Sequence, residues 1–210
     1  MKYKEIKNKW DKLTEGWFGN IVYLFLGFVI AYSFNIFLGY ALNTDTPVVA
    51  VYSCSMEHNT FNNWWIYCNL RLNEICGKDI NDYNPTNFDD YWKICGSWYE
   101  SQNISKEEFK SFAFKDGLEV GDMIVVLNTE KFDVGNIIIF NTDTGKFPII
   151  HRIYSINGGT VMTKGDNNPS PGPPNPYGTV NVNSIHGKAI LKIPLLGWVK
   201  ILFTQVTGIP

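Results

Sequence analysis

The sequence predicts a mainly β protein, in which a single N-terminal transmembrane helix precedes an antiparallel β domain with an inserted, partly helical cap subdomain. Three observations predict this fold class. The 29 residues from Gly16 to Thr44 contain no Asp, Glu, Lys or Arg. Short β-branched runs follow one another from Gly117 onward. Between these parts, residues 57–116 are rich in Asn and Trp and show no strong period of two.

Residues 17–42 form the predicted membrane anchor. A helix of about 20 apolar residues crosses the hydrocarbon core of a bilayer, and the polar exceptions here, Asn20, Ser33 and Asn35, are uncharged. The alternative is a cleaved signal peptide, whose apolar core would be shorter and would be followed by a small-x-small cleavage site. No such site is evident after residue 42, so the sequence favours an uncleaved signal anchor.

Charge predicts the orientation of this anchor. Residues 1–16 carry five Lys and three acidic residues, and the positive-inside rule places such a tail in the cytoplasm. The protein is therefore expected to be a single-pass protein of the cell membrane, with the rest of the chain extracytoplasmic. A second apolar stretch, residues 193–203, is too short to span. It is expected either to lie in the membrane interface, with Trp198 and Lys200 at headgroup depth, or to complete the core.

Residues 43–60 and 117–210 are expected to form one β domain outside the membrane. Its predicted strands are 48–52, 123–127, 136–140, 149–156, 160–164 and 188–193. Asn157-Gly158-Gly159 predicts a hairpin turn, because Gly permits positive φ. Five Pro residues between positions 169 and 176 exclude a central strand there, so that segment is interpreted as a loop.

Residues 61–116 are interpreted as the inserted cap subdomain. The pattern Ser105-Lys-Glu-Glu108 is a capping box, which predicts that a short helix starts there. Three of the four Cys lie in this part, and an outer location permits disulfides. Sequence cannot choose among the three pairings that four Cys allow. A Cys76–Cys95 bridge is expected, with Cys54 free.

Composition excludes several classes of function. The formal net charge of −2 argues against a nucleic-acid-binding protein, which would need a basic face. The spacings of Cys and of the three His do not fit a zinc site. No metal and no cofactor is therefore predicted.

Two serines and a histidine are the first candidates for chemistry. Ser53 and Ser55 directly follow an apolar run, and hydroxyls at i and i+2 of an extended strand point to the same face. One could attack a carbonyl while the other donates to the oxyanion, although such pairs usually form turns. His151 lies inside an apolar strand, unlike His58 and His186. Neutral imidazole is a suitable base near pH 7.

Lys164 and Asp166 close the strand that follows. They lie in the segment Thr163-Lys-Gly-Asp-Asn-Asn168, for which a polar turn is the simpler interpretation. A carboxylate at Asp166 could orient the imidazole, as in Ser-His-acid sets. Lys164 is the competing base, since a desolvated amine can also take the serine proton.

Four motifs occur in order behind the anchor. They are Ser-Cys-Ser-Met at 53–56, Gly-Asp-Met-Ile-Val-Val at 121–126, His-Arg-Ile at 151–153 and Lys-Gly-Asp-Asn-Asn at 164–168. Together they resemble type I signal peptidases of the archaeal and endoplasmic-reticulum kind, over residues 17–58 and 117–203. The resemblance implies a signal-peptidase-like β domain and a serine endopeptidase. Such an enzyme removes signal peptides from secreted preproteins at the outer membrane face, after small residues at −3 and −1.

The resemblance also implies roles for single residues. Ser55 matches the nucleophile and His151 the general base. Ser53 matches the residue that, with the Ser55 N–H, forms the oxyanion hole, and Asp166 matches the Asp of the family's Gly-Asp-Asn motif.

The resemblance further implies how substrate and partners meet the protein. The preprotein is expected to lie extended along residues 48–52 by strand addition, with Val49, Val51 and Met56 among the substrate-binding residues. Signal peptides of preproteins and the lipid bilayer are the expected partners, near the Sec translocon. No nucleic acid is expected.

Two departures from the family pattern leave alternatives open. His58 stands where Pro is common, and Gly172 stands where many relatives carry a second acid. Either Asp166 orients His151, or the enzyme works as a Ser-His dyad. Other functions also remain open, because function is argued from a site and not from a fold. They are a catalytically inactive scaffold or preprotein-binding subunit, a membrane serine protease with another substrate, and an anchored adhesin or receptor.

Overall fold

The computed structural model describes residues 2–59, 74–80, 85–141, 148–169 and 179–208. The chain divides into two compact units, residues 1–42 and residues 43–210. The expected boundaries of the insert within the second unit stay a prediction.

The first unit consists of two helices, α1 (Lys2–Thr14) and α2 (Gly16–Leu42). Where they meet, a Cβ on Gly19 would overlap the carbonyl oxygen of Thr14, so this close approach requires glycine. Helix α2 has 27 residues and is long and apolar enough to cross a membrane. Its length and composition fit the predicted anchor, whereas its orientation stays a prediction.

The second unit is built on a seven-stranded sheet in which every described pairing is antiparallel. The predicted β class is therefore confirmed. The strands are β1 (Val48–Ala50), β4 (Met123–Leu127), β5 (Ile137–Phe140), β6 (Ile149–Asn157), β7 (Thr160–Lys164), β8 (Thr179–Asn181) and β9 (Ile185–Ile193). The order across the sheet is β1-β4-β9-β5-β6-β7-β8.

Most of these strands follow the sequence pattern. All four residues of β5 are buried, as expected for a β-branched run in mid-sheet. The predicted hairpin joins β6 to β7, with Asn157 paired to Thr160 and Gly158 at φ +60°. Three features of the sheet differ from the prediction by more than one residue. Strand β1 ends at Ala50 rather than at position 52, strand β9 begins at Ile185 rather than at position 188, and the sequence does not predict β8. Most of the Pro-rich segment lies outside the described residues.

In its described residues, 74–80 and 85–116, the region predicted as the insert contains a short hairpin and two helices. The hairpin strands are β2 (Glu74–Ile75) and β3 (Lys78–Asp79), and the helices are α3 (Phe88–Ser101) and α4 (Lys106–Ser111). Ser105 caps α4 through a 3.1 Å bond from Glu108 N, as the capping box predicts. Buried side chains of these helices form a core of their own, which includes Phe88, Tyr91, Trp92, Tyr99 and Phe109.

The disulfide prediction is right for one pair and wrong for Cys54. Cys76 and Cys95 are bonded, which ties the hairpin to α3. Cys54 is also disulfide-bonded, so the expectation of a free thiol is wrong; its partner lies outside the described residues. Cys54 is far from the insert in sequence, so the sequence did not indicate that the two lie close together in the fold. Asn167 donates to Cys54 O at 3.1 Å and accepts from Cys76 N at 3.1 Å.

The C-terminal apolar run forms helix α5 (Gly197–Thr207). One side of α5 packs on the domain, where Ile201 is fully buried and Gly197 N donates to Gly121 O at 2.9 Å. Its other side exposes Val199, Phe203 and further apolar side chains. The helix therefore contributes to the core, and contact of its exposed side with lipid stays a prediction.

Candidate active site

Ser53 and Ser55 lie on the chain that leaves β1. Val51 extends the pairing of β1 by exchanging hydrogen bonds of 2.9 and 3.0 Å with Asp122 O and Gly121 N. The chain then enters the 3-10 turn Cys54–Met56, here called the Ser55 turn. The side chain of Met56 is fully buried and fixes this turn to the core. The Oγ atoms of Ser53 and Ser55 lie 3.1 Å apart. Ser53 is exposed and Ser55 half-buried, so both hydroxyls can be reached from outside.

His151 lies on β6 and is buried. Its Nδ1 lies 3.5 Å from Thr163 Oγ1, and its Nε2 lies 3.4 Å from Asn168 Nδ2. Burial lowers the pKa of His151 to about 4; the charge of Lys164 acts in the same direction and the charge of Asp166 opposes it. The imidazole is therefore neutral at pH 7 and can accept a proton.

Residues 165–168, here called the Asp166 turn, join the elements that carry Ser55 and His151. Asn167 N donates to Ser55 O at 2.8 Å, and Asn168 contacts His151 as stated above. The approach is so close that a Cβ on Gly165 would lie 2.7 Å from Ser55 O. The structure thus brings Ser53, Ser55 and His151 around one turn, as the order of the motifs suggests.

The carboxylate of Asp166 is fully buried and receives hydrogen bonds from three side chains. Arg152 donates from Nη2 at 2.7 Å and from Nε at 3.0 Å, His58 Nε2 lies at 2.8 Å, and Tyr99 donates at 3.0 Å. Burial alone would raise the pKa of Asp166, but the charge of Arg152 and the bonds from His58 and Arg152 hold it well below its usual range. Asp166 is therefore a fixed negative charge.

The described contacts of Asp166 and of His151 do not coincide. The ring nitrogens of His151 face Thr163 and Asn168, whereas the carboxylate of Asp166 faces Arg152, His58 and Tyr99. Asp166 nevertheless acts on His151 through its charge, which raises the imidazole pKa. Direct orientation of His151 by Asp166 stays a prediction.

Arg152 and His58 were missed as members of the site. Arg152 also donates to Ala113 O, Phe114 O and Gly135 O at 2.9–3.0 Å, so all five of its N–H groups are used. His58 was set aside because it lies in an Asn-rich segment, yet it is buried and stacked on Tyr91 with the ring centroids 3.6 Å apart. The sequence did contain one signal for Arg152: it is one of only two Arg in the chain, and it directly follows His151.

Lys164, the competing base, is also buried. Its Nζ donates to Gly165 O at 3.0 Å and to Asp166 O at 3.1 Å, and it lies 5.0 Å from the ring centroid of Trp98. Burial lowers its pKa to about 8. The amine is held by two carbonyl oxygens, which favours a charged, structural group at pH 7 over a base.

The predicted substrate-binding side chains lie in the core. Val49, Val51 and Met56 are all buried in one hydrophobic cluster. Among the described strands, β1 has a neighbour on one side only. Alternate residues of a strand direct their backbone polar groups to opposite sides, and Val51 pairs toward β4, so Ala50 directs its groups away from β4. Ala50 itself is buried. The substrate-binding role of the three side chains stays a prediction.

Glu57 is a buried acid next to the Ser55 turn. Its Oε1 accepts from Val120 N at 3.1 Å, and within the described part of the chain its Oε2 has no hydrogen-bond partner. Burial raises the pKa of Glu57 to about 7 from an ordinary 4.5. Above pH 4.5 the unfolded chain therefore binds fewer protons than the folded chain. The contribution of Glu57 to the free energy of unfolding must therefore fall as pH rises toward 7.

We expect Glu57→Gln to remove this pH dependence. The variant should gain about 1–3 kcal/mol over the parent at pH 8 relative to their difference at pH 4. Urea unfolding of the full chain in detergent, followed by Trp fluorescence at pH 4, 6 and 8, measures this gain. Glu107→Gln, at an exposed position of α4, is the matched control. Parallel pH profiles for parent and Glu57→Gln would contradict the expectation.

No family model matches the chain. Among curated proteins, the chain is similar to the signal peptidase complex catalytic subunit SEC11 of Yarrowia lipolytica, with 32% identity over 95 residues. The predicted resemblance to signal peptidases is confirmed. The aligned part covers 40% of this chain and 55% of the relative, so the chain spans about half the length of the curated relative it matches. The resemblance and the N-terminal apolar helix together fit a membrane-anchored protein.

Proposed function

We propose that the chain is a membrane-anchored serine endopeptidase that removes signal peptides from preproteins. The observation that carries the proposal is the grouping of the Ser53–Ser55 hydroxyl pair and a neutral, buried His151 around the Asp166 turn. A hydroxyl becomes a nucleophile only when a positioned base takes its proton. The similarity to a signal peptidase catalytic subunit supports the substrate class.

The proposed reaction is acyl transfer. Ser55 Oγ attacks the scissile carbonyl carbon while its proton passes to Nε2 of His151. With Nδ1 protonated and facing Thr163 Oγ1, Nε2 has the lone pair that this step needs. In the described structure this nitrogen faces Asn168 Nδ2 at 3.4 Å, so the step requires Ser55 Oγ to replace Asn168 at Nε2. The imidazolium then protonates the amine of the mature protein as the C–N bond breaks. Water, deprotonated by His151, hydrolyses the ester and releases the signal peptide.

The oxyanion of the tetrahedral intermediate is assigned to two donors. Ser53 Oγ lies 3.1 Å from Ser55 Oγ, close enough to donate to an oxygen on the attacked carbon. The backbone N–H of Ser55 is the second donor. Removal of one such donor typically costs about 10²–10³-fold in kcat.

Asp166 is proposed to support a Ser-His dyad rather than to touch the imidazole. The Asp166 turn binds the backbone of Ser55 and, through the side chain of Asn168, contacts the ring of His151. Its charge raises the pKa of His151, which burial would otherwise lower further. The acid thus makes the buried base stronger and keeps it in place.

The substrate is proposed to add as a strand on the side of β1 that faces away from β4, where no described strand pairs with it, because main-chain bonds along a strand bind an extended peptide with little dependence on its sequence. Ala50 is buried on that side, so this mode requires the groups that cover Ala50 to move aside. Small residues at −3 and −1 would then fit against the crowded chain beside Ser55. Anchoring by α2 would raise the effective concentration of the enzyme on a membrane-held preprotein. The outer membrane face is proposed as the location, on the charge of the N-terminal tail.

Cleavage of a preprotein tests this function. The full chain is reconstituted in liposomes with a preprotein that has Ala at −3 and −1, and the new N-terminus of the product is sequenced. We expect a cut after the −1 residue by the parent and by Ser184→Ala, whose exposed serine lies next to β8, and no cut by Ser55→Ala. Binding of the preprotein without any cut by the parent would favour the scaffold alternative.

Lys164→Met is expected to change the pH profile rather than abolish cleavage. The charge of Lys164 lowers the pKa of His151, so its removal should raise that pKa. The acid limb of kcat/KM should then move to higher pH, because the imidazole becomes protonated earlier as pH falls. Loss of all cleavage at pH 8 by Lys164→Met, with His151→Ala active, would identify the lysine as the base.

A further inference from the structure

We propose that Tyr99 and Tyr91 of α3 are positioning residues for the catalytic pair, and that they act through Asp166. The inference rests on the proposed function. It assigns to the predicted insert a role in holding the active site.

Both tyrosine hydroxyls meet the same residue. Tyr99 donates to the Oδ1 carboxylate oxygen of Asp166 at 3.0 Å, and Tyr91 donates to the Asp166 carbonyl oxygen at 3.0 Å. Both side chains are fully buried. Burial raises the pKa of each phenol well above its ordinary value, so both are protonated and can donate at neutral pH.

The insert holds the Asp166 turn at a second point. Cys76 N donates to Asn167 O at 3.1 Å, and the disulfide to Cys95 fixes Cys76 to α3. Helix α3 is therefore connected to two consecutive residues of the turn. Its tyrosine hydroxyls bind Asp166, and the hairpin that is disulfide-bonded to it binds Asn167. A displacement of α3 would move the whole turn.

The turn passes such a displacement to the catalytic residues. Asn167 N holds Ser55 O at 2.8 Å, and Asn168 lies 3.4 Å from His151 Nε2. A misplacement of about 1 Å can cost about 10²-fold in rate, because reacting groups must start near their attack geometry. Loss of one tyrosine bond should therefore lower kcat while leaving substrate affinity almost unchanged.

The test is a double-mutant cycle with Tyr99→Phe and Asp166→Asn in the full chain in liposomes. The expected result is a fall of about tenfold in kcat for Tyr99→Phe, from the lost bond to a charged group, with KM changed less than twofold. In the Asp166→Asn background the same substitution should cost nothing further, because residues that act through one another are not additive. Tyr154→Phe is the matched control, since its ring packs on Trp98 of the same helix.

A second measurement needs no catalysis. NMR of the ring resonances of the three His in micelles should show that Tyr99→Phe shifts both His58, which bonds Asp166, and His151, whereas Tyr154→Phe shifts neither. A shift confined to His58, or an equal loss of kcat in both backgrounds, overturns the inference. Cleavage that survives Ser55→Ala overturns the proposed function instead. In that case the NMR shift of His151 still tests whether Tyr99 is coupled to His151 through Asp166.

Discussion

His151→Ala is expected to lower kcat/KM for preprotein cleavage by about 10²–10⁴-fold, the usual contribution of a positioned general base. His151 is buried and has its pKa lowered to about 4, so it is neutral throughout the physiological range. Without it, the proposed mechanism has no base for the hydroxyl proton at pH 7, because the amine of Lys164 is held by two carbonyl oxygens. The loss should be confined to the chemical step, and substrate binding should persist.

Single-turnover cleavage at saturating enzyme separates these effects. His186→Ala is the matched control, because the described hydrogen bond of His186 involves its backbone oxygen, which accepts from Thr44. The control should cleave like the parent. The parent itself should stay active down to about pH 5 and lose activity as the imidazole is protonated below that value. If His151→Ala retained more than about a tenth of the parent rate, His151 would not be the base.

Arg152→Met is expected to lower the free energy of unfolding by about 3–5 kcal/mol, the cost of removing one partner of a buried ion pair. Arg152 is 1% exposed and donates to Asp166 and to three backbone carbonyls. Met fills much of the same volume but makes none of these hydrogen bonds, and it leaves the buried charge of Asp166 without its ion-pair partner Arg152. Total stabilities are about 5–15 kcal/mol, so this variant should be close to its unfolding threshold.

Urea unfolding of the full chain in detergent measures the loss. Lys93→Met removes an exposed ion pair with Asp90 on α3 and should cost less than about 1 kcal/mol. The double variant Arg152→Met with Asp166→Asn should regain part of the lost stability, because it removes the uncompensated charge. A cost for Arg152→Met similar to that of Lys93→Met would show that the buried pair does not stabilise the fold.

The sheet could be predicted because its signals are local. β-branched runs, the turn at Gly158 and the capping box at Ser105 each act within a few residues, and the structure contains the elements they predict. Strand β8 has only three residues and follows a Pro-rich segment, so it offered no comparable pattern.

The polar site could be predicted only in part, because its contacts join distant residues. The order of the motifs predicts that Ser55, His151 and the Asp166 turn lie close to one another, and the turn contacts the backbone of Ser55 and the ring of His151. The bond between His58 and Asp166 spans 108 positions, and no local pattern reports it. The disulfide of Cys54 was missed for the same reason: a cysteine outside the insert gives no sign that the insert lies beside it.

Detection of the acyl-enzyme tests the central claim most directly. The full chain is mixed with excess preprotein, quenched in acid within the first turnover and digested for mass spectrometry. The account predicts a signal peptide joined through an ester to Ser55, absent from Ser55→Ala and present in Ser184→Ala. Cleavage at the same bond without an adduct on Ser55, at an unchanged rate in Ser55→Ala, would contradict it.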